Sequence, residues 1–209
     1  MTRNPYRLYL VTDENQDLDT LIEVVKQAVE GGVTMVQIRE KHHDIRTFIT
    51  KAAAVKKVLE GTNVPLIIND RVDVALAIDA DGVHLGQTDM PATLARTLIG
   101  EDKILGLSIE SEAQLQQAKQ LPIDYIGLSA IFSTTTKTNI KTEWGLEGLT
   151  NALQQIELPI VAIGGINESN LLDVAKTGVH GVAIVSAISH ACSPKQAAQQ
   201  LLTIMEKAE

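Results

Sequence analysis

Asp70 and Asp89 are carboxylates placed just past short apolar runs, in Leu66-Ile67-Ile68-Asn69-Asp70 and Gly82-Val83-His84-Leu85-Gly86-Gln87-Thr88-Asp89. Apolar runs of that length read as buried parallel strands, which would release both side chains at one end of a sheet. Paired carboxylates repel and resist desolvation unless a cation lies between them. Hard oxygen ligands that leave room for water and substrate phosphate suit Mg²⁺. The placement therefore points to chemistry on a phosphate-bearing small molecule. The competing reading is helix capping, by Asp70 ahead of Arg71 and by Asp89 ahead of Met90-Pro91.

Other strand ends carry matching groups. In Gln37-Ile38-Arg39-Glu40-Lys41, period-two alternation sends Gln37, Arg39 and Lys41 the same way, a grip for a polar anion. The alternative is a surface salt-bridge cluster with Glu40. Ser108 lacks the His–Asp partners of a nucleophile, so a substrate-orienting hydroxyl or a helix cap fits better. The irregular stretch from Ser129 to Asn139, with Thr134, Thr135, Thr136 and Lys137, can close over a phosphorylated ligand or be a Thr-rich surface loop. Gly164-Gly165 and Val185-Ser186 let backbone N–H groups approach a phosphate closely. One grip is thus cationic and the other neutral. A metal-bridged diphosphate at the first and a monophosphate at the second suggest the joining of two phosphorylated fragments with loss of diphosphate. His84, inside an apolar run, reads as a hydrogen-bonded core residue, and no histidine or cysteine spacing supports zinc.

These groups need a scaffold that collects strand ends. Eight short runs supply it: Leu8–Val11, Met35–Ile38, Leu66–Ile68, Gly82–Leu85, Ile104–Leu107, Tyr125–Leu128, Ile160–Ile163 and Val182–Val185. Between them, apolar residues recur at helical spacing, as in Leu21, Ile22, Val25, Ala28 and Val29. Gly31, Gly61 and Gly178 mark helix ends, while Ser111 and Asn167 mark helix starts. Repeated β/α units of about 25 residues without a linker predict an α/β fold, a single-domain (β/α)₈ TIM barrel over residues 1–209. An open doubly wound sheet would want Gly-x-Gly-x-x-Gly after an early strand, and the sequence has none. Active sites of barrels lie on the loops that follow the strands.

Composition sets the outer bounds. The 209 residues are 44% hydrophobic, ample for a core, yet no stretch approaches the roughly 20 apolar residues of a membrane span. A formal net charge of −8 opposes nucleic-acid binding, and any anionic ligand must be captured by local donors. Lys51, Lys56 and Lys57 read as the solvated face of one helix. The N-terminus lacks signal-peptide features, and the single cysteine, Cys192, suits a reducing compartment, so the expected location is cytoplasmic. Self-association into a homo-oligomer stays open.

As an ordered set, Val36-Gln37-Ile38-Arg39-Glu40-Lys41, Ile68-Asn69-Asp70-Arg71, Gly82-Val83-His84-Leu85-Gly86-Gln87, Thr134-Thr135-Thr136-Lys137 and Ala162-Ile163-Gly164-Gly165-Ile166 closely resemble the thiamine phosphate synthase family. That family is a Mg²⁺-dependent barrel enzyme, a transferase. It joins 4-amino-2-methyl-5-hydroxymethylpyrimidine diphosphate to a thiazole phosphate, giving thiamine phosphate and pyrophosphate. The resemblance implies that Gln37, Ile38, Arg39, Glu40, Lys41 and Asn69 bind the pyrimidine diphosphate and that Asp70 and Asp89 hold Mg²⁺. It implies pyrimidine contact by Ser108 and diphosphate contact by Lys137. Thr134, Thr135, Thr136, Gly165, Val185 and Ser186 would serve substrate binding, chiefly of the thiazole phosphate. Arg39, Lys41, Ser108 and Lys137 would carry the catalysis. Ser129, Ala130 and Ser133 stand where many members carry Gly-Pro and Pro, and Glu110 stands where many carry His. Two alternatives remain on the same fold, a thiazole tautomerase and a non-catalytic thiazole phosphate sensor. Retention of Asn69-Asp70, Asp89 and Thr136-Lys137 favours the synthase.

Overall fold

The computed structural model describes residues 4–133 and 143–208. Eight parallel strands close into a barrel in chain order: β1 Leu8–Val11, β2 Met35–Ile38, β3 Leu66–Asn69, β4 Gly82–Leu85, β5 Ile104–Ile109, β6 Tyr125–Ser129, β7 Ile160–Ile163 and β8 Gly181–Ile184. β1 pairs with β8 through Tyr9 opposite Ala183, which removes every sheet edge. Helices α1 Leu18–Glu30, α2 Ile45–Leu59, α3 Val72–Ala77, α4 Ala92–Ile99, α5 Glu112–Ala118, α6 Gly145–Gln155 and α7 Leu171–Lys176 cross between successive strands. A four-residue α8, Ser186–Ser189, and α9, Pro194–Glu206, follow β8.

Alternation along each strand divides the apolar residues into two cores. Outward residues such as Leu8, Leu10, Val36, Ile38, Ile68 and Val83 pack with helix residues including Leu21, Val25, Phe48 and Leu171. Inward residues Tyr9, Val11, Met35, Ile67, Tyr125, Val161 and Ala183 fill the barrel. This two-sided burial explains the near-continuous apolar runs. It also explains why polar residues at inward positions can only be a filled interior or a site.

The strand expectations hold to within two residues, with informative shifts. Asn69, Ser108 and Ser129 belong to their strands rather than to the loops beyond them. Val185 is not strand but the residue preceding α8. Ser111 caps α5 through Gln114 N. Asn167 does not start a helix: its Oδ1 accepts from Ser169 in a turn, and α7 begins at Leu171 after Asn170. Lys51 does not lie on a solvated face; it is 6% exposed and donates to the Glu40 carboxylate and to the Glu14 and Gln16 carbonyls. Period alone misses this because a lysine stem covers apolar surface as readily as it reaches water.

Candidate active site

A cavity of about 1090 Å³ opens at the C-terminal ends of the strands. Its floor is the upper, polar layer of the barrel interior: Gln37 from β2, Asn69 from β3, His84 from β4 and Ser108 from β5. Arg39 and Lys41 continue the inward alternation of Gln37 past the end of β2 and line the wall. Ile38 and Glu40 take the opposite phase. Ile38 lies in the outer core, and the Glu40 side chain is buried against Lys51 and His43, so neither lines the cavity. Glu40 thereby anchors the chain from which Arg39 and Lys41 project.

Asp70 and Asp89 both reach the cavity. Neither caps a helix. Asp70 sits at φ 62, a left-handed conformation that aspartate tolerates better than most residues, and its N–H extends the β3–β4 ladder to His84 O at 2.8 Å. Arg71, not Asp70, precedes α3, and that helix start has no side-chain cap. Asp89 Oδ2 instead folds back to accept from Gly86 N at 2.7 Å. A Cβ at Gly86 would come within 2.8 Å of that oxygen, so the glycine allows the carboxylate to fold back there.

The electrostatics of this wall are those of a crowded charge pair. Burial pushes the Asp70 carboxyl above its ordinary range; Lys41 pulls it down, and the neighbouring Asp89 carboxyl pushes it back up. Lys41 Nζ is seated on Asp70 Oδ2. Glu14, in the β1–α1 connection, lines the cavity beside these groups. Burial opposes its ionisation, but N–H donors of Lys41 and His42 and the His42 ring outweigh this and hold its carboxyl low. Glu14 Oε1 also lies 3.7 Å from Arg39.

The opposite wall is built from the β7 and β8 loops, and none of its lining residues is charged. Gly164 and Gly165 adopt φ 106 and 64. A Cβ at Gly165 would meet Ser133 O at 2.6 Å, and one at Gly164 would meet Ala130 Cβ at 2.7 Å. The glycines are therefore demanded both by backbone conformation and by close approach to the β6 loop. Val185 and Ser186 complete this wall. The helix they introduce has only four residues, too short for a macrodipole, so an anion placed there would meet only local N–H and hydroxyl groups.

The floor supplies two further features. Asn69 Nδ2 is buried at the cavity without a hydrogen-bond partner among the described residues, a costly state that a ligand acceptor would relieve. His84 is a hydrogen-bonded interior residue as expected, with Nδ1 2.8 Å from Tyr125 Oη and Nε2 2.9 Å from Ser108 Oγ. Sequence reasoning passed over Glu14, Tyr9 and Tyr125. The tyrosines sit two residues before Val11 and Gly127 in the inward phase, which is the signal that would have found them. Thr134, Thr135, Thr136 and Lys137 lie outside the described residues.

The chain is similar to known proteins along nearly its whole length. Residues 8–188 match the family model described as thiamine monophosphate synthase. A thiamine-phosphate synthase of Vibrio campbellii is 69% identical over 202 residues, covering 97% of this chain and 99% of that one. One from Ruminiclostridium cellulolyticum is 48% identical over 200 residues, covering 95% of each. Among solved structures, a thiamine phosphate pyrophosphorylase from Pyrococcus furiosus superposes with a TM-score of 0.89 at 35% identity, covering 100% of this chain and 99% of that one. The family model over residues 8–188, with relatives 69% and 48% identical along nearly the whole chain, places the chain in the thiamine monophosphate synthase family.

Proposed function

We propose that this chain is a thiamine phosphate synthase. It condenses 4-amino-2-methyl-5-hydroxymethylpyrimidine diphosphate with (carboxy)thiazole phosphate, giving thiamine phosphate and pyrophosphate. The observation that carries the reading is one cavity with a densely charged wall facing an uncharged glycine wall. A departing diphosphate gains negative charge as its bond breaks, whereas a spectator monophosphate does not.

The reaction is read as dissociative: pyrophosphate leaves, and the thiazole nitrogen captures a pyrimidine carbocation. Arg39 and Lys41 then bind the leaving group more tightly as its charge grows, which is the differential that accelerates a reaction. Lys137 is assigned the same task from its sequence position. Gln37, Asn69 and Ser108 orient the pyrimidine at the floor; Gly165, Val185 and Ser186 hold the thiazole phosphate, with Thr134, Thr135 and Thr136 assigned to substrate binding from the sequence. Ile38 and Glu40, whose side chains turn away from the cavity, are assigned to pyrimidine diphosphate binding from their sequence positions alone. No strong base is required by this chemistry. Exclusion of water from the occupied site would protect the cation.

Asp70 and Asp89 suit Mg²⁺. Two hard-oxygen carboxylates press on each other with a cation already seated on one of them, and Mg²⁺ typically needs only one or two carboxylates beside substrate phosphates. When bound there the ion would neutralise charge on the diphosphate. Lys41, released from Asp70, would be free to turn toward the same group. The chain has no helix long and apolar enough to cross a membrane among its described residues, and we assign it to the cytoplasm.

Purified protein mixed with both substrates and Mg²⁺ is expected to yield thiamine phosphate and pyrophosphate. Thiazole isomerisation without condensation would instead support a tautomerase, and binding without turnover a sensor.

A further inference from the structure

Beneath the cavity, five side chains from five strands form one hydrogen-bonded relay across the barrel. Gln37 Nε2 donates to Tyr9 Oη at 2.7 Å, and the Tyr9 and Tyr125 hydroxyls lie 3.0 Å apart. Tyr125 Oη meets His84 Nδ1 at 2.8 Å, and His84 Nε2 meets Ser108 Oγ at 2.9 Å. Both tyrosines are fully buried, and burial pushes both phenols far above their ordinary range, so the relay is built from neutral hydroxyls. Its geometry is enforced from below and beside. Tyr6 packs on Tyr125 with ring centroids 5.0 Å apart. A Cβ at Gly106 would come within 2.2 Å of Tyr125 Cζ and 2.5 Å of His84 Nδ1, so that glycine exists to let the two rings meet.

A phenol has one proton and a neutral imidazole one ring proton, so two polarities give every one of these protons a partner along the relay. In one, Gln37 donates to Tyr9, Tyr9 to Tyr125, Tyr125 to His84 Nδ1, and His84 Nε2–H to Ser108. In the other every bond is reversed. With Gln37 Nε2 on Tyr9, the first is the one in which the fully buried Tyr9 O–H also has a partner, Tyr125; if Tyr9 accepted from both neighbours, its own proton would find none within the relay. Gln37 then keeps Oε1 as an acceptor for the cavity's occupant. Ser108, accepting from His84, keeps its own proton to donate.

We propose that Tyr9 and Tyr125 are positioning residues that set the hydrogen-bond polarity of the cavity floor. It accepts at Gln37 and donates at Ser108, and so selects an amino-substituted pyrimidine over its oxo counterpart. An aminopyrimidine brings an amine donor and unprotonated ring nitrogens that accept. The oxo form brings a carbonyl acceptor and a ring N–H, the inverse pattern. A site with committed buried donors and acceptors rejects the inverse pattern because its groups are left unpaired. The inference rests on the pyrimidine diphosphate reading above and adds what discriminates that substrate.

Two measurements test it. Nitrogen-15 NMR of the wild-type ligand-free protein, with His84 assigned by its loss in His84→Asn, should show Nε2 protonated and Nδ1 unprotonated; the opposite tautomer overturns the polarity. In kinetics, Tyr125→Phe should lower the kcat/KM preference for the 4-amino over the 4-oxo pyrimidine diphosphate by about 10-fold or more, with KM for thiazole phosphate unchanged. An unchanged preference overturns the proposal, since a merely structural role would weaken both pyrimidines alike. If Tyr125→Phe does not fold, the wild-type tautomer decides alone. Wild-type protein that makes no thiamine phosphate refutes the functional reading, and the tautomer still reports the polarity independently.

Discussion

Under the proposed function, the two walls of the cavity hold phosphate by different physics. The wall from β2, β3 and β4 is crowded with opposed charges: Arg39 near Glu14, Lys41 on Asp70, and Asp70 against Asp89. The wall from β7 and β8 carries no charge and depends on two glycines whose backbone no other residue could copy without a clash. Full charges respond steeply to a change in ligand charge, so they belong beside a group that ionises during the reaction. Neutral donors in a rigid loop bind a constant charge with little reorganisation. The difference teaches that the charged wall should govern rate and the glycine wall affinity.

The largest effect that could break this division is on the charged side. Lys41→Ala should lower kcat on the order of 100-fold while leaving KM for thiazole phosphate within about twofold. A pure KM effect, read from steady-state kinetics in both substrates, would erase the distinction. On the glycine side, Gly165→Ala strains a residue at φ 64 and drives a methyl toward Ser133 O. It should raise KM for thiazole phosphate about 10-fold with kcat for bound substrate largely kept, an expectation that strain of about 1–3 kcal/mol allows. A loss in kcat alone would assign that wall to chemistry.

The smallest effect sharpens the contrast through stability. Asp70 titrates higher in the folded chain than unfolded, so the stability tied to it is present below the unfolded value and lost as pH rises through the folded one. Asp70→Asn should therefore raise the thermal midpoint of the ligand-free protein at neutral pH by about 1–3 °C. The gain should vanish at acid pH, where the wild-type carboxyl is protonated as well. A lower midpoint at neutral pH would mean that the Lys41 pair outweighs the crowding.

Most of the barrel was legible because both faces of each strand are buried, which writes strands as apolar runs between helical stripes. The charged wall was legible for the same reason: alternation carried Gln37, Arg39 and Lys41 inward while Ile38 and Glu40 turned out. The errors come from interactions that local pattern does not encode. Lys51 looks like a surface residue until Glu40 is placed beneath it, and Asn167 looks like a cap until its turn is seen. The relay through Tyr9, Tyr125 and His84 joins strands up to 116 residues apart, and no window along the chain contains it.

The central claim is that Asp70 and Asp89 hold the ion that lets a diphosphate depart. Its most direct test is a Mg²⁺ titration of turnover for the wild type and Asp70→Ala, with folding checked by circular dichroism. The expected outcome is Mg²⁺-dependent turnover in the wild type and its loss in a folded variant at every Mg²⁺ concentration. Near-normal turnover of Asp70→Ala at saturating Mg²⁺ would contradict it.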